Sequence, residues 1–140
     1  MIDCLILGDS IAVGTHMFAQ QCEMQAKGGI NTHQFNSMFP GKFTAKIVVI
    51  SLGSNDHQYV RTRTELEAMR SRVEAGAHVL WVLPAGNLKA SNVPIESIQQ
   101  IVRDIAGQRG DTVIPITSLQ SDGIHPTGRG YRDIVEKVMR

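Results

Sequence analysis

Short apolar runs alternate with amphipathic segments along the whole chain. Runs of four to eight apolar residues closed by Gly or Pro are typical of buried strands. They predict five strands, at residues 2–7, 22–26, 46–52, 78–83 and 111–116. The third run, KIVVISL, is the clearest because it is apolar and rich in β-branched residues. Pro115, inside the last run, places that strand at a sheet edge or marks its end.

The segments between the strands have helical spacing. A helix is predicted over residues 11–21, another over about 62–75, a third that begins between Asn92 and Pro94, and a fourth near the C-terminus. The third shows the pattern best, because apolar residues recur at i, i+3, i+4 and i+7: Ile98, Ile101, Val102 and Ile105. Strands that alternate with helices favour a flavodoxin-like α/β fold, a parallel sheet of about five strands covered on both faces. No composition break divides the chain, so we expect one domain over residues 1–140.

Composition excludes several classes of function. The 140 residues carry 14 basic and 13 acidic side chains, a net charge of +1, and only 5% are aromatic. Without a basic stripe or interleaved aromatic residues, nucleic-acid binding is not expected. No apolar run approaches the roughly 18 residues that a membrane span requires. The first residues lack the pattern of a signal peptide, so the expected location is the cytoplasm.

The two cysteines, Cys4 and Cys22, fall in predicted strands. Buried free thiols are the favoured interpretation, and a disulfide between neighbouring strands remains open. Neither cysteine has the spacing of a metal site. The four histidines other than His125 have no ligand spacing either, so no metal and no cofactor is expected.

Polar residues follow several of the predicted strands, where ligands bind in open α/β sheets. Ser10 follows the first strand and precedes a helix, which places its hydroxyl at the mouth of the sheet; a lone serine there is usually only a helix cap. His125 lies three residues after Asp122 in a glycine-containing loop. The Asp122 carboxylate can therefore reach Nδ1–H of the imidazole, which leaves Nε2 free to face a serine.

Two further loops supply neutral hydrogen-bond donors. Asn55 follows the clearest strand, and Gly29 follows the second. An amide side chain and a glycine N–H, together with the N–H of Ser10, would make three donors for an oxyanion. Each residue alone has an ordinary structural interpretation, but their combination at one edge of one sheet predicts acyl transfer by a serine nucleophile.

The segments Gly8-Asp9-Ser10, Gly53-Ser54-Asn55-Asp56 and Asp122-Gly123-Ile124-His125-Pro126 resemble the SGNH/GDSL hydrolases. They match the first, third and fifth sequence blocks of that family, in order, over residues 5–131. The resemblance implies a three-layer α/β/α sandwich with Ser10 as nucleophile and Asp122 and His125 completing a triad. It implies Gly29, Asn55 and the Ser10 amide as oxyanion donors. The second block departs from the family pattern because Ile30 is inserted after the glycines, which leaves Gly28 as an alternative to Gly29.

The predicted function is therefore a serine esterase acting on small, acetyl-type esters, including those of carbohydrates, without a cofactor. The alternative is a carbohydrate- or partner-binding module on the same fold; a flavodoxin-like nucleotide or flavin binder has less support. The first loop fits neither a P-loop nor a GxGxxG fingerprint. Residues 84–90 and 57–63 are the predicted walls of the site. Arg61 and Arg63, in the second wall, are expected to be solvated rather than to bind an anionic substrate.

Overall fold

Five parallel strands form one sheet in the computed structural model, which describes residues 2–86 and 92–140. The strands are β1 (Ile2–Gly8), β2 (Glu23–Ala26), β3 (Ala45–Ser51), β4 (His78–Val82) and β5 (Thr112–Ile114). Their order across the sheet is β2-β1-β3-β4-β5, and every pair is parallel. The predicted α/β fold with a five-stranded parallel sheet is thus confirmed, and Pro115 directly follows an edge strand, as its lack of an N–H requires.

Five helices cover the two faces of the sheet. They are α1 (Ser10–Met17), α2 (Thr32–Met38), α3 (Thr62–Ser71), α4 (Ile95–Arg109) and α5 (Gly128–Val138). Alternate residues of each central strand point to opposite faces. On β4, Val79 and Trp81 join the core beneath α2, α3 and α4, whereas Leu80 and Val82 join the core beneath α1 and α5. The molecule is therefore a three-layer α/β/α sandwich.

Some element boundaries differ from the sequence prediction. The α1 helix ends at Met17 rather than at residue 21, because the chain turns at residues 18–22 to bring Cys22 back to the sheet. The α3 helix ends at Ser71 rather than at residue 75, because the chain beyond it pairs with Phe43. The α2 helix lies where no helical pattern is visible, and it begins at a capping box formed by Asn31 and Gln34.

The prediction of free thiols is wrong. Cys4 and Cys22 form a disulfide that joins β1 to the residue just before β2, and both residues are buried. Because these strands are neighbours, the bond crosses between adjacent segments of the sheet. Disulfides are typical of oxidising compartments. The bond is therefore unusual for a cytoplasmic protein and argues against the expected location.

No helix among the described residues is long and apolar enough to cross a membrane.

Candidate active site

Ser10 is the first residue of α1, at the carboxyl end of β1. The turn between them requires Gly8, whose φ is +148° and whose absent Cβ would lie 1.9 Å from the carbonyl oxygen of Ser51. The helix cap is Asp9, whose side chain accepts from the N–H of Ile11 at 3.0 Å. Ser10 is thus not the capping residue, and its partly exposed hydroxyl is free for another partner.

That partner is the imidazole of His125. The distance from Ser10 Oγ to His125 Nε2 is 2.9 Å, and His125 Nδ1 lies 2.7 Å from Asp122 Oδ2. A carboxylate can only accept, so Nδ1 carries the proton and Nε2 presents its lone pair to the serine hydroxyl. The structure brings together the three residues that the sequence predicts as a triad, in the predicted order of contact.

Local backbone geometry holds the Asp122 carboxylate. Its Oδ1 accepts from the N–H groups of Ile124 and His125, at 2.9 and 3.0 Å, while Oδ2 faces the imidazole. The hydrogen bond from the Ile124 N–H, followed by those from the side chain and N–H of His125, lowers the pKa of Asp122 to about 2. The carboxylate is therefore ionised and aimed at Nδ1 even though it is exposed to solvent.

The predicted oxyanion donors lie on the two loops beside Ser10. Asn55 Nδ2 donates to the carbonyl oxygen of Ile30 at 3.0 Å, which leaves its second amide hydrogen available. A Cβ added at Gly28 would lie 3.8 Å from the Cβ of Ser10, whereas one added at Gly29 would meet nothing within 4 Å. The glycine pair therefore passes beside the serine, and the preference for the N–H of Gly29 over that of Gly28 stays a prediction.

Sequence reasoning missed the role of Asp9 and Ser54. The hydroxyl of Ser54 donates to Asp9 Oδ2 at 3.0 Å, which ties the loop after β3 to the loop that carries Ser10. Asp9 is fully buried, and burial raises the pKa of Asp9 to about 6 although hydrogen bonds from the Ile11 N–H and the Ser54 hydroxyl act in the opposite direction. A buried carboxylate thus lies next in sequence to the candidate nucleophile.

The role of the Asp56 carboxylate was not predicted from the sequence either. This buried carboxylate accepts from the N–H of Thr32 at 2.9 Å, from the Thr32 hydroxyl at 2.7 Å and from the Thr62 hydroxyl at 2.6 Å. Burial raises the pKa of Asp56, and these hydrogen bonds oppose the increase. The carboxylate fixes the N-termini of α2 and α3 to the loop after β3.

Ser54, Asn55 and Asp56 therefore contact three different parts of the site. Ser54 contacts the loop after β1, Asn55 contacts the loop after β2, and Asp56 contacts the first turns of α2 and α3. The signal in the sequence was the run of three consecutive polar residues directly after the third predicted strand and Gly53. Together the three side chains fix the loops that carry the candidate nucleophile and oxyanion donors.

One of the two predicted walls lines a cavity. A cavity of about 380 Å³ lies beside the loops after β2 and β3, and its lining residues are Asn31, His33, His57, Tyr59, Val60, Arg61 and Glu65. The other predicted wall, residues 84–90, includes positions 87–90, which lie outside the described residues.

Neither a model of a protein family nor a curated protein matches this sequence. Solved structures match it over nearly its full length. A GDSL-like lipase from Bacteroides thetaiotaomicron has a TM-score of 0.68 at 18% identity, covering 98% of this chain and 85% of that one. A member of the lipolytic protein G-D-S-L family from Veillonella parvula has a TM-score of 0.68 at 13% identity, covering 99% and 97%.

A third similar structure is AlinE4, an SGNH-hydrolase family esterase. Its TM-score is 0.52 at 15% identity, and the match covers 99% of this chain and 94% of that one. At such low identities, structural similarity is evidence about the fold. The expectation drawn from the three sequence blocks is confirmed at that level: this chain has the fold of the SGNH/GDSL hydrolases.

Proposed function

We propose that this protein is a serine ester hydrolase that cleaves small, acetyl-type esters, including those of carbohydrates, through an acyl-enzyme on Ser10. The proposal rests above all on one observation. A continuous line of hydrogen bonds runs from Asp122 through His125 to Ser10, with distances of 2.7 and 2.9 Å. This is the geometry that general-base activation of a serine requires.

In the first step, His125 Nε2 takes the proton of the Ser10 hydroxyl as Oγ attacks the carbonyl carbon of the ester. The imidazolium that forms is stabilised by the Asp122 carboxylate at Nδ1. The carbonyl oxygen becomes an oxyanion, which accepts hydrogen bonds from the N–H of Ser10, the N–H of Gly29 and the free amide hydrogen of Asn55.

Collapse of this tetrahedral species breaks the bond to the leaving oxygen. His125 Nε2–H donates its proton to that oxygen, the alcohol departs, and the acyl group remains on Ser10. A water molecule then attacks the acyl-enzyme while Nε2 accepts its proton. Breakdown of the second tetrahedral species returns the proton to Ser10 Oγ and releases the carboxylic acid.

The three carboxylates of the site have different roles. Asp122 orients the imidazole through its hydrogen bond to Nδ1. Asp9 and Asp56 hold the loops through hydrogen bonds to Ser54 and Thr32, and no hydrogen bond of the described residues joins them to the imidazole. Because the buried contacts of Ser54, Asn55 and Asp56 fix the loops before substrate binds, the donors need little reorganisation during the reaction.

Turnover of 4-nitrophenyl acetate tests the proposal. We expect Ser10→Ala to lower kcat by at least roughly a hundredfold, because it removes the nucleophile. A matched control is Ser71→Ala at the end of α3, whose hydroxyl donates to the carbonyl oxygen of Ala68 in its own helix, and this variant should keep the wild-type rate. If Ser10→Ala and His125→Ala both keep wild-type rates, the proposal is wrong.

The length of the acyl group is tested by a series of 4-nitrophenyl esters, followed by acetylated sugars. We expect the acetyl ester to have the highest kcat/KM of the series and acetylated sugars to release acetate. A kcat/KM that rises steadily with chain length would contradict the preference for small acyl groups.

A further inference from the structure

The cavity of about 380 Å³ adjoins the candidate active site. Its residues come from the loops after β2 and β3 and from the helices that follow them. The same two loops carry Gly29 and Asn55, the predicted oxyanion donors. Asn31 lines the cavity one residue after Ile30, whose carbonyl oxygen accepts from Asn55, and His57 lines it two residues after Asn55. The cavity and the predicted oxyanion donors are therefore built on the same two loops.

Arg61 brings a positive charge to this cavity. Among residues 2–86 and 92–140, no carboxylate oxygen lies within 4 Å of its guanidinium. The usual partner on a helix would be Glu65, four residues later. Both oxygens of Glu65 are occupied instead, Oε2 by His33 Nδ1 at 2.7 Å and Oε1 by Asn36 Nδ2 at 2.8 Å.

The neighbouring arginine differs in this respect. Arg63 Nη2 donates to Asp104 Oδ2 at 2.8 Å, across an exposed surface between α3 and α4, and it does not line the cavity. The expectation that both arginines are merely solvated thus separates into two cases. Arg63 has a carboxylate partner within the protein, whereas Arg61 lines the cavity with no carboxylate of the described residues within 4 Å.

His57 and Tyr59 complete the recognition surface. The N–H of Tyr59 donates to His57 Nδ1 at 3.2 Å, so in the neutral imidazole the proton lies on Nε2, which becomes a second donor. The ring of Tyr59 is 82% exposed and contacts the His57 ring edge-on, with centroids 6.0 Å apart. The cavity therefore combines a guanidinium, an imidazole donor and an exposed aromatic face. It also includes the Glu65 carboxylate, whose two oxygens are held by His33 and Asn36.

We propose that this cavity binds a carboxylate carried by the ester substrate, with Arg61 as its counter-ion. A guanidinium can bind a carboxylate with two parallel hydrogen bonds. No carboxylate in the described part of the chain lies within 4 Å of Arg61 to compete for them. The proposal rests on the proposed ester hydrolase activity and adds the substrate class, namely esters that bear a negative charge. The carboxylate can belong to the acyl part or to the alcohol part of the ester.

Two pairs of esters test the proposal and distinguish these sources. The acyl pair is mono-4-nitrophenyl succinate and its neutral counterpart 4-nitrophenyl butyrate. The alcohol pair is 4-acetoxybenzoate and its neutral counterpart phenyl acetate. The variant is Arg61→Gln, and the matched control is Arg63→Gln, which removes the same charge two residues away.

We expect Arg61→Gln to raise KM for the anionic ester of one pair by roughly 2- to 5-fold, the magnitude of an exposed ion pair. The neutral ester of that pair should be unaffected, and Arg63→Gln should affect neither. The pair that responds identifies the part of the substrate that carries the carboxylate. An equal effect of Arg61→Gln on charged and neutral esters, or no effect on any of them, overturns the proposal.

A binding experiment gives a readout that does not depend on turnover. Free succinate and 4-hydroxybenzoate are titrated into the Ser10→Ala variant, and binding is measured by amide chemical shifts. Shifts at residues 57–61 that vanish when Arg61→Gln is added support the cavity as a carboxylate site, even if no ester is hydrolysed. Absence of turnover with such shifts present contradicts the proposed function alone. Absence of shifts from both ligands contradicts the carboxylate site.

Discussion

Replacing Asp9 with asparagine should make the stability of the fold less dependent on pH. The Asp9 carboxyl is fully buried between the start of α1 and the loop after β3, and burial raises its pKa to about 6. The hydrogen bonds from the Ile11 N–H and the Ser54 hydroxyl offset only part of this effect. The ionised form is therefore less favourable in the folded protein than in the unfolded chain.

The sign and size of the effect follow from proton linkage. In the unfolded chain this carboxyl has its ordinary pKa of 3.8, so between about pH 4 and pH 6 the unfolded state has lost the proton and the folded state retains it. The free energy of unfolding therefore decreases as the pH rises through this window. A pKa difference of about 2 corresponds to a total loss of about 3 kcal/mol of unfolding free energy. This loss begins near pH 4 and is nearly complete above about pH 6.

The Asp9→Asn variant keeps the helix cap, because its amide oxygen can still accept from the Ile11 N–H, but it cannot ionise. Urea unfolding at pH 4 and pH 7 measures the difference. We expect the variant to gain about 3 kcal/mol relative to the wild type between these two pH values. Asp3→Asn is the control, since that carboxylate is exposed, and it should show no such gain. An identical pH dependence in Asp9→Asn and the wild type would show that the buried carboxyl of Asp9 does not have a raised pKa.

Three further changes have defined outcomes. Asp122→Asn should lower kcat on 4-nitrophenyl acetate by about 10²- to 10⁴-fold, because the amide no longer fixes the imidazole tautomer; a wild-type rate would exclude that role. Thr62→Val removes the 2.6 Å hydrogen bond to buried Asp56. It should lower the free energy of unfolding in urea by about 1–3 kcal/mol and also lower kcat. Unchanged stability and kcat would contradict the positioning role of Asp56. Replacing Cys4 and Cys22 with alanine should lower the unfolding free energy by about 3 kcal/mol, because the disulfide closes a loop between cysteines 18 positions apart. Thiols that titrate without reductant in the denatured wild type would contradict the disulfide.

The sequence predicts the sheet well because its central strands are buried on both faces. The β3 and β4 strands are continuous apolar runs, and all their residues after the first three of β3 and the first of β4 are buried. Such runs, each closed by Gly or Pro, leave little doubt about where the strands end. The candidate triad was also predictable, because Asp122 and His125 are close in sequence and Ser10 follows the first strand.

The α2 helix was not predicted because few of its residues are buried, so its sequence has little apolar periodicity. Only Thr32 and Phe35 are buried among its seven residues, so no apolar stripe is visible. Its signal is the capping box of Asn31 and Gln34, which is a local hydrogen-bond pattern rather than a periodicity. The disulfide was missed for a different reason, since two cysteines on predicted strands give no information about which strands are neighbours.

The contacts of Asp9, Ser54 and Asp56 depend on tertiary structure. Hydrogen bonds between Ser54 and Asp9 and between Asp56 and Thr32 span 45 and 24 positions of the chain, and no local pattern encodes such pairs. The sequence shows that polar residues follow a buried strand. The structure shows the hydrogen-bond partner of each of these polar residues, and these bonds show how the loops of the site are fixed.

A fluorophosphonate probe reacts with an activated serine whatever the natural ester is, so labelling tests directly whether Ser10 is a nucleophile. We expect one adduct on the folded wild-type protein, located at Ser10 by peptide mass mapping and absent from Ser10→Ala. We also expect labelling to be slowed in a folded His125→Ala variant. A folded wild-type protein that stays unlabelled, or one that is labelled equally well after Ser10→Ala, would contradict that role of Ser10.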